Sequence, residues 1–196
     1  MSDKYKIRDN DKAHFVTITT VGWVDIFTRK GQKLLIVDSL NYCHQNKGLI
    51  IFAYCIMPSH LHMICKADDG YNLSDILRDF KKHTSKAIIN QIQEEPESRR
   101  ECLSAGKAGM LTIFSNACKH LKREQTYKVW QEGNQAKEIF SNKFLYEKLN
   151  YIHQNPVEDL IVANPEDYLF SSARNYSGLD YLLDVVLLDN KLITYN

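Results

Sequence analysis

His60 and His62, separated only by Leu61, are the first residues whose types and spacing could do chemistry. On an extended strand, alternate side chains point to the same face, so both imidazoles would project together. Neutral imidazoles held that way can bind one divalent metal ion. An H-x-H pair on a strand is also often just hydrogen-bonded, and two histidines leave a metal site incomplete. A second set lies far downstream. Tyr151 and Asn155 are four residues apart in a segment with helical spacing, which places them one turn apart on one flank. Phe144 and Lys148 share that flank, whereas His153 falls almost opposite. Asn155 offers an amide oxygen, a reasonable ligand for a hard divalent cation. Taken alone, the segment reads equally as a packed tyrosine and a capped helix end.

The elements that must carry these residues follow from periodicity. Residues 13–20, AHFVTITT, alternate and are β-branched, as a strand requires. Over residues 32–46, Leu35, Ser39 and Tyr42 recur with Ile36, Leu40 and Cys43 at helical spacing, and Gly48 marks a stop. GLIIFAYCIM is a continuous apolar run and so a buried strand. Pro58-Ser59 interrupts it, and residues 60–66 read as the returning strand of a tight hairpin. Residues 72–92 form an amphipathic helix, with Leu73, Ile76, Leu77, Phe80 and Ile88 on the inner face and Asn72 or Ser74 as cap. Arg78, Lys81, Lys82 and Lys86 occupy its other faces. They are candidates for phosphate contacts, with a solvated helix face as the equal alternative.

The order strand, helix, strand, strand, helix needs one more strand to complete a split βαβ, ferredoxin-like α+β sheet. The segment Tyr127–Gln131 is the candidate. Residues 93–126 read as an insert, partly helical. The last helix spans about Ser141 to Asn155, with Ser141 as cap and Leu145, Leu149 and Ile152 as its buried stripe. It is expected to stop at Asn155, because Pro156 disfavours helical geometry in the residue before it. The run VVLLDNKLI in the tail reads as a late strand or a partner contact.

Composition sets outer limits. The 196 residues are 44% hydrophobic and 25% charged, the balance of an ordinary soluble domain. The N-terminus lacks the apolar run of a signal peptide, and no stretch has the apolar length of a membrane span. Five cysteines with no C-x-x-C pair read as reduced thiols, which points to the cytoplasm and away from a cysteine zinc site. Net charge is +1, but it is uneven: residues 78–137 hold 12 Lys and Arg against 7 Asp and Glu, and residues 158–196 hold 2 against 7. A basic middle is compatible with a polyanion partner.

Together the two motifs resemble a known family. PSHLH at 58–62 resembles the HUH motif of the single-tyrosine HUH transposases, and YIHQNPV at 151–157 resembles the tyrosine helix of the REP-associated branch. LSDILRDFKKHTSKAI at 73–88 is similar to the helix that follows the HUH strand. Trp130-Gln131 and YLFSSARNY at 168–176 are similar to motifs that flank the tyrosine helix. The likeness covers about residues 10–178, taken as one domain with the insert at 93–126, and leaves 179–196 as a tail. The chain departs from the family in that insert and in EGNQAKE after Gln131, where Asn134 or Gln135 stands in place of a histidine that relatives often carry.

The resemblance implies a ferredoxin-like fold, with His60, His62 and Asn155 as ligands to Mg²⁺ or Mn²⁺ and Tyr151 as nucleophile. It implies single-stranded or hairpin DNA as substrate, cut and rejoined through a covalent 5′-phosphotyrosine. A homodimer is left open. Two other readings stand beside this one: a domesticated binder of DNA hairpins with little cleavage, and a phosphoesterase that uses water.

Overall fold

The computed structural model describes residues 7, 9, 11–94, 109–119 and 125–188. Four strands form one antiparallel sheet: β1 (His14–Thr19), β2 (Leu49–Ile56), β3 (His60–Ala67) and β4 (Lys137–Glu138), in the order β2-β3-β1-β4. Helix α1 (Lys30–Asn46) joins β1 to β2, and α2 (Leu73–Glu94) leads from β3 towards β4. This is the split βαβ arrangement expected from the order of elements. The hairpin between β2 and β3 is tight because Met57 N donates to His60 O across Pro58-Ser59 at 2.8 Å.

Register fixes what each face of the sheet carries. Thr17 pairs with His62, Thr19 with His60 and Phe15 with Ile64. Opposed residues share a face, so Phe15, Thr17, Thr19, His60 and His62 lie on one side. Val16, Ile18, Leu61 and Met63 point the other way, beneath α1 and α2, and have no exposed surface. Helix α4 (Asn142–Glu158) packs on the histidine face and contacts β2 and β3. The central pair of strands therefore turns Val16, Ile18, Leu61 and Met63 to the side of α1 and α2, and its threonines and histidines, flanked by Phe15 and Ile64, to the side of α4.

Two sequence expectations need correction. The fourth strand is Lys137–Glu138, paired with His14 and Phe15, and not Tyr127–Gln131. Within that earlier segment only Trp130 makes a bridge, to Thr20. Its indole instead enters the core, stacks on Phe27 at 5.6 Å and donates from Nε1 to Thr84 Oγ1 at 2.9 Å. Second, α4 runs through Pro156 to Glu158. Proline removes one donor near the helix end, and the last turn closes without it: Asp159 N donates to Asn155 O and Ile161 N to Pro156 O. The described part of the tail, residues 179–188, is tied down. Leu183 is buried, Asn175 Nδ2 donates to Leu183 O, and Val186 N donates to Ile51 O.

The insert is helical over Met110–Asn116 (α3), while 95–108 and 120–124 lie outside the described residues. The latter part of VVLLDNKLI, residues 189–193, also lies outside them. Residues 168–172 run along the free edge of β2, with Ile56 N donating to Phe170 O and Ser172 N to Tyr54 O. Helix α5 (Ala173–Tyr176) follows. Among the described residues no helix is long and apolar enough to cross a membrane. Cys43, Cys55, Cys65 and Cys118 are free and buried.

Candidate active site

The two histidines are neighbours on β3, with ring centroids 4.6 Å apart and planes at 76°. His62 is 4% exposed and fixed from below: its Nδ1 lies 3.0 Å from Thr17 Oγ1, and Phe15 stacks on its ring at 5.5 Å. His60 is half-buried, and its Nδ1 lies 3.2 Å from Ser59 Oγ. When each Nδ1 carries the proton and donates to its hydroxyl, both Nε2 lone pairs are left for another partner. Burial pushes the His62 imidazolium down to about 3, helped by His60 and the Lys148 charge. Burial lowers His60 as well, against the pull of Asp159 and Asp25. Both rings are therefore neutral near pH 7, the form that can donate a lone pair to a metal ion.

Helix α4 brings Tyr151 to this pair. Ser141 caps the helix by accepting from Phe144 N at 3.2 Å, and Leu145 and Ile152 bury the inner stripe. That rotation leaves Tyr151 38% exposed, with its phenolic oxygen 3.5 Å from His62 Nε2. The two rings meet edge-on at 5.2 Å, and Phe15 braces Tyr151 at 6.0 Å. Asn155 follows one turn later and is 7% exposed. Lys148 lies one turn before, its Nζ over the rings of Phe15, Phe144 and Tyr151 at 5.3, 5.3 and 5.4 Å. His153 points elsewhere, with Nε2 2.9 Å from Ser172 Oγ. The sequence expectation that it stands apart from Tyr151 agrees with this.

The four basic residues of α2 are not among the groups that touch the histidines or Tyr151. Arg78 is exposed and bridged to Asp75 and Asp79. Lys82 and Lys86 are exposed and line a shallow hollow with Tyr127. Lys81 is engaged within the chain. Its ammonium donates to Gln131 O at 2.8 Å and Gly133 O at 2.7 Å, and burial lowers it to about 8. It anchors the loop after Trp130, and Asn134 in that loop accepts from Thr17 N at 3.0 Å.

Sequence reasoning missed Thr17, Ser59, Phe15 and Trp23. The first three had a signal, since Phe15 and Thr17 share a parity on β1 and Ser59 abuts His60. Trp23 sits edge-on to His60 at 5.7 Å, and nothing in the pattern around it points there.

Comparison with known proteins places this arrangement. No curated protein sequence matches the chain. A REP-associated tyrosine transposase, solved bound to a REP hairpin, superposes with a TM-score of 0.63 at 18% identity, covering 100% of this chain and 99% of that one. At that identity the likeness speaks for the fold. A protein of Deinococcus radiodurans described as a transposase aligns over 47% of this chain and 68% of its own, with 17% identity and a TM-score of 0.35. The family model "Transposase IS200 like" matches residues 9–104, which include β1, the hairpin and both histidines. Through that segment, just under half of the chain, the protein is similar to the IS200-like transposases, and its fold is similar to that of the REP-associated tyrosine transposase.

Proposed function

We propose that the protein is a metal-dependent single-stranded DNA nuclease and strand transferase acting at DNA hairpins, with Tyr151 as nucleophile. The observation that carries this is the 3.5 Å approach of the Tyr151 oxygen to His62 Nε2 within one chain. The hairpin substrate is carried over from the structural relative, which was solved with a REP hairpin bound.

The donor set fits a divalent ion. Among the described residues no three His, Cys, Asp or Glu side chains cluster as a metal site, so His60 and His62 need a donor of another type. Asn155 would supply one through its amide oxygen. Thr19 Oγ1, buried opposite His60, has no hydrogen-bond partner among the described residues and adds an unused polar atom on the same face. The amide oxygen and the family resemblance favour Mg²⁺ or Mn²⁺, though the imidazoles alone would also admit Zn²⁺. When bound, such an ion neutralises a non-bridging phosphate oxygen and favours the phenolate.

The chain's own groups do the rest. Thr17 and Ser59 hold the imidazoles in orientation. Phe15 and the α4 stripe hold Tyr151. Its oxygen attacks phosphorus, the P–O3′ bond breaks, the phenolic proton is released to solvent, and the departing 3′-oxygen takes up a proton. The product is a 5′-phosphotyrosine and a free 3′-OH. A 3′-OH of another strand reverses the step, transferring the strand without an external energy source.

The test is to incubate the protein with an end-labelled DNA hairpin carrying single-stranded flanks, in Mn²⁺ or Mg²⁺, and then denature. A covalent adduct that disappears in Tyr151→Phe is expected. Cleavage that survives Tyr151→Phe would overturn the tyrosine mechanism in favour of water. Tight binding with no adduct under either metal would leave a hairpin-binding protein.

A further inference from the structure

Exposed aromatic rings stand on both sides of the candidate site. On one side is Trp23, 58% exposed, in a short turn (Val21–Trp23) directly after β1. Its backbone is left-handed, with φ +55°, as is that of Gly22 before it. A bulky residue rarely adopts this geometry, and the backbone is strained where it does. The indole recovers little of that by burial. What the strain achieves is position, since it sets the indole edge-on to His60. On the other side is Phe140, 68% exposed and stacked face to face on Phe144 at 4.8 Å. Lys148 bridges Phe144 to Tyr151, and among the described residues its ammonium faces rings and no carboxylate.

The rings form an unbroken row. Trp23 meets His60, His60 meets His62, His62 meets Tyr151, and Tyr151 connects through the Lys148 ammonium to Phe144 and Phe140. The middle of the row holds the groups that would act on a phosphodiester, and its ends are open rings. Aromatic faces interleaved with an unpaired cation are what an unpaired nucleic-acid strand binds, because every base has a face to stack and every linkage an anionic phosphate. A duplex keeps its base faces stacked internally and could not use the ends.

We propose that this row is a single-strand track. One unpaired base stacks on Trp23 and another on Phe140, on either side of the nucleophile, with Lys148 taking the phosphate next to Tyr151. The proposal rests on the reading of Tyr151 as the cutting residue, because that reading puts the scissile phosphate in the middle.

Binding in EDTA separates the two ideas, since no adduct chemistry is needed. Anisotropy of fluorescein-labelled dT20 is measured with the full chain, beside an abasic strand of the same length and a blunt duplex. Trp23→Ala and Phe140→Ala should each weaken dT20 binding by about 5- to 100-fold. Trp23→Phe and Phe140→Trp should hold it within about 3-fold by keeping a stacking face. The abasic strand should bind all five proteins alike, and the duplex should be insensitive to these changes. Unchanged dT20 affinity in both alanine variants would overturn the track. So would equal losses on the abasic strand, or no wild-type binding to dT20. Both side chains are exposed, and an unchanged melting temperature controls for folding. A missing Tyr151 adduct would leave this result standing, and loss of the track would leave the adduct assay intact.

Discussion

Thr17 Oγ1 lies 3.0 Å from His62 Nδ1, a buried contact between two strands that fixes which nitrogen of the imidazole faces Tyr151. A hydrogen bond on the remote nitrogen sets both the tautomer and the tilt of a ligating histidine. Thr17→Val keeps the side-chain shape and removes the acceptor. Mn²⁺ affinity should fall about 10- to 100-fold. Stability should fall by about 1–3 kcal/mol, because the Nδ1 proton is left buried without a partner. Mn²⁺ titration followed by electron paramagnetic resonance, beside urea denaturation, checks both. Unchanged Mn²⁺ affinity would show that the hydroxyl does not orient the ring.

Lys81 gives a pH dependence. Its folded value of about 8 is below its ordinary 10.5, mainly through burial, with Lys128 adding to the effect and Glu132 opposing it. Between those values the unfolded chain holds the proton more tightly than the folded one, so stability from this group rises with pH from 8 towards 10.5. The expected difference is about 1 kcal/mol per pH unit crossed. Tyr54 and Tyr168 are pushed upward by burial and act in the opposite sense above pH 10, so the comparison should be made between variants. Urea midpoints of wild type and Lys81→Met, measured from pH 7.5 to 10, should show wild type gaining steadily on the variant as pH rises. Parallel curves would show that Lys81 is charged in the fold throughout.

Gly48 tests local geometry. Its φ is +66°, and an added Cβ would stand 2.3 Å from the Tyr71 ring. Gly48→Ala should cost about 1–3 kcal/mol, part from the left-handed backbone and part from the clash. In a Tyr71→Ala background the second part should vanish, leaving about 1 kcal/mol. Equal losses in both backgrounds, by thermal melting, would mean that the ring moves aside freely.

The legible and illegible parts of this chain divide on physical lines. The strands of the hairpin and helices α1 and α2 were readable because each buries a long face, and burial writes a period into the residues. The pairing of His60 with His62 followed from strand parity, and Tyr151 with Asn155 from helical pitch. Strand β4 was not readable, since two residues, Lys137 and Glu138, carry no period. The segment around Trp130 looked like strand and is not one, and its indole is held in the core by Thr84, which lies 46 positions away. For Lys81 a phosphate contact and a solvated face read equally well, and neither points to its carbonyl partners about 50 positions off. Pro156 suggested a stop, yet so near the helix end the missing donor disturbs little. Trp23 had no periodicity to betray it, because its placement depends on two left-handed residues in a row.

The approach of Tyr151 to His62 has a consequence for how the protein works at low copy number. Both residues sit on one polypeptide, so the two halves of the proposed site arrive together with each molecule made. On the proposed mechanism, the first cut would need no concentration threshold, and its rate would grow in simple proportion to the number of chains. Nor could a chain lacking the tyrosine and a chain lacking the histidines repair each other by exchanging helices, unless α4 left its own sheet. Any second copy would matter later, when the freed ends must be brought together.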